Sequence, residues 1–358
     1  MIRIAFLALA EAHQHLHWLP AALRLAAEPG VEVEVLGASR AGLALVASFD
    51  PKQTLRLVHL PTPSPRVDGL FSPPPRALAA LLHQHRIARH DAIVTTETSS
   101  SLLTLLPWFR APMIHLKHGA GDSEVGYNPK HRRFDLTLVN GAKDRERLIA
   151  KGLARPDQVA VVGYAKFELV APDGLPFGDD RPLALYNAHA KPPGSSWFAH
   201  GPAVVAAMAD IPDWRFIVAP HVKLKRGPVV TSDAPNVSID LGSMASIDMS
   251  YTTAAEVYIG DASSQVYEFL RRPRPCIFLN LDRVAWQGVE RFSHWALGQV
   301  IEDVAELGPA LARAADLQPR FDPLQRAALA HSIDPSPTPA SQRQARAILD
   351  FVSARQSP

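Results

Sequence analysis

The sequence predicts an α/β protein built as two consecutive halves, each a parallel sheet with helices between its strands. Three observations carry that reading. Short apolar, β-prone runs alternate with helical patterns along most of the 358 residues. Near-continuous apolar runs such as residues 3–8 fit strands covered on both faces, as in a parallel sheet. The rhythm stops at residues 172–182, where Pro, Gly and Asp replace apolar residues, and then restarts. The chain therefore reads as a first domain at 1–171, a linker at 172–182, a second domain at 183–333, and a spacer with a last helix at 334–358.

Residues 3–8 form the first strand. A helical pattern follows through Leu19, Leu23 and Leu25 to Glu28 and stops at Pro29-Gly30. Residues 31–35 alternate strictly between Val and Glu, which predicts a strand with one exposed face. A helix is expected at 38–49, a strand at 55–60, and an extended loop bracketed by prolines at 61–65 and 73–75. Residues 76–90 read as a helix with Leu78, Leu81, Leu82 and Ile87 on one face. Strands follow at 91–95, 112–116, 134–139 and 158–162, with a helix at 142–152 that ends on a glycine. In the second half, strands are expected at 182–186, 214–219, 236–239, 257–260 and 276–280. Helices at 198–208, at 249–255 and from Ser263–Ser264 onward separate them. A loop or short helix at 281–298, helices at 304–314 and 324–331, and a proline-rich spacer at 335–339 come next. Ser341 caps the last helix, whose Ala345, Ile348, Leu349 and Val352 face inward.

Composition excludes several classes. Lysine plus arginine number 37 and aspartate plus glutamate 35, a net charge of +2. No basic tail or aromatic–basic pattern points to nucleic acid. Hydrophobic residues make up 47% and the mean hydropathy is −0.02, the balance of a globular chain with an ample core. The single cysteine, Cys276, rules out a disulfide framework and fits a reducing cytoplasm. The N-terminal apolar run is short and leads into Glu11 and three histidines, so it reads as a strand rather than a signal peptide. No stretch reaches the ~20 apolar residues of a membrane helix. By periodicity, the helices of the first half show no strongly basic amphipathic face.

Polar turns after strands carry the candidate chemistry, because ligands of open α/β sheets bind at the carboxyl ends of the strands. The principal one is Asp261-Ala-Ser-Ser-Gln-Val-Tyr-Glu268. Ser263 and Ser264 fall where the helix begins, and backbone N–H groups, the helix dipole and hydroxyl donors suit an anion there. Glu268, one turn after Ser264, can reach a sugar or glycerol-like hydroxyl. A plain cap, with Asp261 or Ser263 at the N-cap and Glu268 in solvent, fits the same spacing. After residues 214–219 come His221, Lys223, Lys225 and Arg226, where position and charge agree on a phosphate. Lys117-His118-Gly119-Ala-Gly121 follows another strand. Its glycines permit a tight turn or close approach to a ligand. His118 is a candidate base or hydrogen-bond donor, with a structural histidine as the alternative.

Glu11, just past the first strand, is placed for a cleft role. His13, His15 and His17 alternate, but no Glu sits between them in a zinc-protease pattern and no second cluster exists. No metal site is expected, and these histidines read as lining a cleft or capping a helix. The hydroxyl-rich turn at 96–101 reads as an ordinary cap, and the basic run at 130–133 as a solvated face.

Together these residues resemble a family. Asp261-x-Ser-Ser-x-x-x-Glu268, followed by Arg272-Pro273-x-Pro275 and a strand, is similar to the donor-site signature of the CDP-glycerol glycerophosphotransferases. Those are teichoic-acid-type polymer enzymes of the GT-B fold class. Lys117-His118-Gly119 resembles the family's His-Gly turn, and the strand at 135–139 resembles one leading to a helix. Gly163-Tyr-Ala-Lys166-Phe-Glu168 resembles its Gly-Tyr-Pro-Arg-x-Asp end of the first domain, and Pro220-His221 its donor-phosphate histidine. The likeness spans residues 113–280, and the first hundred residues carry no family motif. Ala165 stands where the family has proline, and Tyr186-Asn-Ala-His189 replaces a Tyr-Ala-Pro-Thr-type strand end. Asn187 and His189 would therefore contact a different donor.

The resemblance implies two Rossmann-like domains facing a central cleft, with the C-terminal helix crossing back to the first. It implies a cytoplasmic transferase that takes a glycosyl or glycerophosphate-type group from a CDP- or UDP-linked donor. The acceptor would be a cell-surface glycan or a lipid-linked molecule, the latter with peripheral contact at the inner membrane face. No cofactor is implied, and the lack of Asp-x-Asp favours a metal-independent route. Ser263, Ser264, His221, Lys223 and Arg226 would meet the leaving-group charge, and Glu268 would hold hydroxyls. Asp261, Asn187 and His189 complete the donor side. His118 would be base or acceptor ligand beside Lys117, Gly119 and Gly121, with Glu11 as the competing base. Two other readings stand beside this one. One is a UDP-sugar 2-epimerase or hydrolase, which shares the serine-plus-glutamate arrangement and needs no second acceptor. The other is a non-catalytic nucleotide-binding module.

Overall fold

The computed structural model describes residues 1–65, 67–122, 126–169, 175–192, 194–224 and 227–356. Of the linker read from the sequence, residues 172–174 lie outside the described residues. The chain forms two compact units. The first comprises Met1–Gly119, Val125–Leu169 and His331–Pro358, and the second Ala120–Glu124 and Val170–Ala330.

The first unit holds β1 (Ile2–Ala8), β2 (Val31–Gly37), β3 (Arg56–His59), β4 (Ala92–Thr95), β5 (Met113–Leu116), β6 (Leu136–Val139) and β7 (Val159–Val161). All pair in parallel in the order β3-β2-β1-β4-β5-β6-β7. The apolar runs explain the centre. Ile4 to Leu7 and Ile93 to Val94 are fully buried, as strands with helices on both faces require. Strand order reverses between β1 and β4, which makes their carboxyl ends the switch point of this sheet.

Two expectations are corrected here. The alternation in β2 does not leave a solvent face, because Glu34 is 2% exposed. β2 lies inside the sheet, and the Glu34 carboxylate is compensated by Arg56 at 3.1 Å, Arg86 at 3.1 Å and His90 at 3.2 Å. The helix expected at 76–90 is two pieces, Arg76–Leu82 and Gln84–Ile87, and its buried face is not the leucine face. Ala79 and Ala80 pack into the core, while Leu78, Leu81 and Leu82 are 38%, 38% and 53% exposed. Helical spacing shows that residues share a face, and here the small alanine face is the one that packs.

The C-terminal helix, Ala340–Gln356, packs against the helix Leu19–Ala26 of the same unit. Ala345, Ile348 and Val352 are buried on that contact side. Ser341 lies inside the first turn rather than capping it. Its N–H and Oγ donate to the Glu168 carboxylate at 2.9 and 2.5 Å, so an acidic group from β7's sequel closes the helix N-terminus.

The second unit holds β8 (Leu183–Asn187), β9 (Arg215–Val218), β10 (Val237–Ile239), β11 (Val257–Gly260), β12 (Cys276–Leu279) and β13 (Gln299–Ile301). They are parallel in the order β10-β9-β8-β11-β12-β13, so the switch point lies between β8 and β11, where Asn187 pairs with Gly260. Tyr186, Phe216, Ile259, Ile277 and Trp197 form its core. β13 was not expected from the sequence. It is three residues long and flanked by Gly298, too short to show a period. The helices expected at 304–314 and 324–331 are instead Leu307–Ala312 and one long helix, Ala314–Ser332, that contains Pro319 and Pro323.

The histidines after β1 and around β5 are packed rather than solvated. His15 is fully buried against Trp18, ring centroids 5.6 Å apart. Burial pushes its imidazole down to about 4. His17 and His115 are also held well below the usual range, first by burial and then by neighbouring cations and rings. A folded state that keeps these rings neutral binds fewer protons than the unfolded chain between the folded and unfolded values. Stability should therefore be full above pH ~6.5 and fall as pH drops toward 4. His15 alone should cost on the order of 2 kcal/mol by pH ~5. Urea unfolding of the wild-type chain and His15→Gln across this range tests this, because the variant should show a shallower loss, and equal slopes would refute the assignment.

Candidate functional site

In the second unit, the candidate residues gather at the carboxyl ends of β8, β9 and β11. Asp261 follows β11 and is 1% exposed. Its Oδ1 accepts from the backbone N–H of His189 at 2.7 Å. Its Oδ2 accepts from the N–H and Oγ of Ser196 at 2.7 and 2.8 Å. Burial raises this carboxyl, and the Ser196 hydrogen bonds oppose the rise. The Asp261 backbone carbonyl accepts from His294 Nε2 at 2.8 Å and Trp295 Nε1 at 3.1 Å. His294 Nδ1 in turn lies 3.1 Å from the Asp122 carboxylate, which also accepts from Tyr267 OH at 2.8 Å. Asp261 thus fixes the loop that carries His189, and an inner layer fixes Asp261.

Asn187 and Ser263 are part of the same buried frame. Ser263 Oγ donates to Asn187 Oδ1 at 2.5 Å, and Asn187 Nδ2 donates to the carbonyl of Ala219 at 2.6 Å. These bonds stitch together the ends of β8, β9 and β11. Ser264 differs from Ser263. It is half-buried, and its hydroxyl has no hydrogen-bond partner among the described residues. Gly121 abuts it: a Cβ on Gly121 would stand 2.4 Å from the Ser264 Cβ. That contact places Gly121 within the second unit, against the serine turn. The helix expected from Ser263 onward is one turn, Val266–Phe269, because Pro273 stops continuation. A macrodipole needs more length than that. The turn therefore offers local donors, chiefly the Ser264 hydroxyl. Glu268 is buried on that short helix.

His221 follows β9, and its ring centroid is 6.5 Å from that of His189. The backbone N–H of Lys223 donates to His221 Nδ1 at 3.1 Å. A backbone N–H can only donate, so Nδ1 carries the lone pair and Nε2 the proton. His221 is a hydrogen-bond donor at its tip. Arg226 lies outside the described residues.

The first unit shows the opposite arrangement. His118 follows β5, and its Nδ1 lies 2.8 Å from the carbonyl oxygen of Thr96, at the end of β4. A carbonyl can only accept, so Nδ1 carries a proton. His17, 6.0 Å from it by ring centroids, packs edge-on to Tyr164 at 5.0 Å. Lys166 is buried nearby and helps hold His17 neutral. The sequence reading had His17 lining a cleft or capping a helix, Lys166 in the Gly163–Glu168 stretch and Thr96 in an ordinary cap, and did not connect them with His118. Only the order of the strand ends could have pointed to them.

Other candidates are engaged in the fold. Glu11 is ion-paired with Arg76 and accepts from Gln14 Nε2 at 3.2 Å. Proton transfer there would compete with that pair. Lys117 lies 3.5 Å from Asp144 and over the Tyr127 ring at 4.1 Å, a buried cation with a structural partner. Gly119 adopts φ +70°, and its carbonyl accepts from Asn140 Nδ2 at 2.8 Å. The turn after β4 closes on itself, with Glu97 accepting from the backbone and hydroxyls of Ser99 and Ser100. Among the described residues no group of His, Cys, Asp and Glu is placed to hold a metal.

No protein-family model matches the chain, and no curated protein matches it. Solved structures do. The UDP-GlcNAc 2-epimerase of Neisseria meningitidis, bound to UDP-GlcNAc, aligns with a TM-score of 0.64 at 13% identity over 98% of this chain and 99% of that one. The wall teichoic acid polymerase TagF aligns at 0.65 and 11% identity over 99% of this chain and 90% of that one. The calicheamicin glycosyltransferase CalG4 aligns at 0.55 and 16% identity over the full length of both. At these identities the likeness is one of fold, and the fold is GT-B-like: two parallel Rossmann-like sheets with the last helix returned to the first.

The frame around Asp261 makes a direct prediction. Asp261→Ala leaves three donors without their acceptor and should cost about 3 kcal/mol of stability, read by urea unfolding. A variant as stable as wild type would refute the role of Asp261 as the clamp of the 188–196 loop.

Proposed function

We propose that this chain is a metal-independent transferase that moves a glycosyl or glycerophosphate-type group from a nucleotide-diphosphate donor to an acceptor hydroxyl. The observation that carries the reading is the pair of opposite histidine tautomers. His221, at the end of β9, presents a proton on Nε2. His118, at the end of β5, donates through Nδ1 to the Thr96 carbonyl, which in the neutral ring leaves Nε2 to accept a proton. Transfer from an activated donor needs both: a donor to the leaving diphosphate and an acceptor for the proton of the attacking hydroxyl.

In this reading the roles divide between the units. The Ser264 hydroxyl, the His221 Nε2–H and Lys223 bind the diphosphate, with Arg226 as a further cation. Asp261, Asn187 and Ser263 hold those groups in place, and Glu268 and His189 contact hydroxyls of the donor. The acceptor oxygen forms its bond to the transferred carbon or phosphorus as the bond to the diphosphate oxygen breaks. The acceptor proton passes to His118, and the electron pair of the broken bond stays on the leaving nucleotide, a diphosphate when a glycosyl carbon is attacked and a monophosphate when the glycerophosphate phosphorus is. His17, held neutral, and Lys166 line the same strand ends as His118. The presence of UDP-GlcNAc in an epimerase of similar fold supports a nucleotide-diphosphate ligand. A lipid-linked or glycan acceptor is the acceptor class this reading takes, with the chain working at the cytoplasmic side of a membrane.

Mutation separates the two roles. His221→Ala and Ser264→Ala should each weaken nucleoside-diphosphate binding about ten-fold or more, through loss of a hydrogen bond to a charged group. His118→Ala should leave binding intact and lower turnover by about 10²–10⁴-fold. Thermal shifts with CDP, UDP and GDP give the binding arm, since a ligand of the native state raises its melting point. Unchanged binding in both donor-side variants would sink the site assignment. Donor turnover without acceptor would mark an epimerase or hydrolase, and binding without turnover of any donor would mark a nucleotide-binding module.

A further inference from the structure

The exposed leucines of the first unit form a surface that neither the core nor the candidate site uses. Leu78, Leu81 and Leu82 lie three and four residues apart on the helix Arg76–Leu82, so they share a face. That helix packs against the 3-10 turn Ser99–Leu105, whose last residue, Leu105, is 64% exposed. Three residues on, Trp108 is 40% exposed and stacks on His85, ring centroids 4.5 Å apart. A cluster of four leucines and a tryptophan on adjoining elements is more than the scattered single apolar residues of an ordinary surface.

Charge identifies the occupant. Between residues 69 and 121 the only carboxylates are Asp91 and Glu97. Glu97 is buried and accepts from Ser99 and Ser100, and Asp91 accepts from the backbone N–H of Arg3 at 2.7 Å. Of the cations near the leucines in sequence, Arg89 and Arg110 are exposed, while Arg76 on the helix itself is half-buried and pairs with Glu11. Arg89 and Arg110 have no carboxylate within ion-pair distance among the described residues, and Arg86 meets only the buried Glu34. An apolar cluster with a tryptophan, flanked by arginines and histidines and lacking exposed acids, matches the interface of an anionic bilayer. Leucines and the indole enter the headgroup–acyl boundary while the arginines remain at the phosphates.

We propose that the face made by helix Arg76–Leu82, Leu105 and Trp108 docks this chain on an anionic lipid surface. It deepens the reading of a lipid-linked acceptor, since docking by the unit that carries His118 would bring that unit to the acceptor's own phase. It is tested apart from that reading, because the assay below uses no nucleotide and no turnover.

The full chain is floated with vesicles of phosphatidylcholine plus phosphatidylglycerol, and with phosphatidylcholine alone. The wild-type chain should float with the anionic vesicles and much less with the neutral ones. Leu82→Asp combined with Trp108→Asp should lower vesicle binding by about ten-fold or more. Arg89→Gln and Arg110→Gln should each lower it by about five-fold and reduce the preference for phosphatidylglycerol. All variants change exposed side chains, so their melting temperatures and nucleotide-induced thermal shifts should match wild type. A wild-type chain that stays with neither vesicle overturns the proposal, as do aspartate variants that float as well as wild type. Concentration-dependent dimerisation abolished by the same aspartates, without vesicle binding, would assign the face to a second copy of the chain and also overturn it. Loss of nucleotide binding by the wild type would remove the transferase reading and leave the vesicle result standing.

Discussion

The second unit depends on one buried carboxylate. Asp261 closes β11, and its two oxygens take three donors from the loop after β8, while its backbone carbonyl takes two more from His294 and Trp295. A buried carboxylate is tolerated only when its lone pairs are met, and here they are. The consequence is geometric. Two strands that are neighbours at the switch point of the sheet are joined a second time beyond their ends. Of the residues between them, Asn187, His189 and Ser263 are held by hydrogen bonds within the unit. A preorganised set of donors is what stabilises a developing anionic charge at low reorganisation cost.

The two histidines show how far a single hydrogen bond can define chemistry. Neither His118 nor His221 is distinguished by residue type. One faces a carbonyl and the other a backbone N–H, so Nδ1 is protonated in His118 and bare in His221. Both contacts come from strand-end turns, so the fold itself sets the state of each Nδ1.

Much of this was legible in the residues. Short apolar runs, with the Val/Glu alternation for β2, located twelve of the strand positions, most plainly the central ones that are buried on both faces. The stretch from Asp261 to Glu268 was legible as a strand-end turn, and the structure puts it at the switch point. What the chain did not disclose is which face of a pattern is covered. Leu78, Leu81 and Leu82 are spaced as a helix core, yet Ala79 and Ala80 make the contact. Glu34 alternates like a solvent residue, yet two arginines and His90 surround it. The partners lie 22 to 56 residues away in sequence, and no local period reports them. The tautomers of His118 and His221 were hidden for the same reason, since each depends on a backbone group seen only once the turns are folded.

The return of the last helix gives the chain an order of assembly. The second unit is complete in sequence once residue 330 has been made, whereas the first still lacks its closing piece. Until residues 340–356 emerge from the ribosome, the helix Leu19–Ala26 has nothing against it where Ile348 and Val352 will sit. The part of the protein translated first is therefore the part finished last. During that interval a nascent chain carries an apolar helix face in water, the kind of surface that chaperones bind and that aggregation exploits.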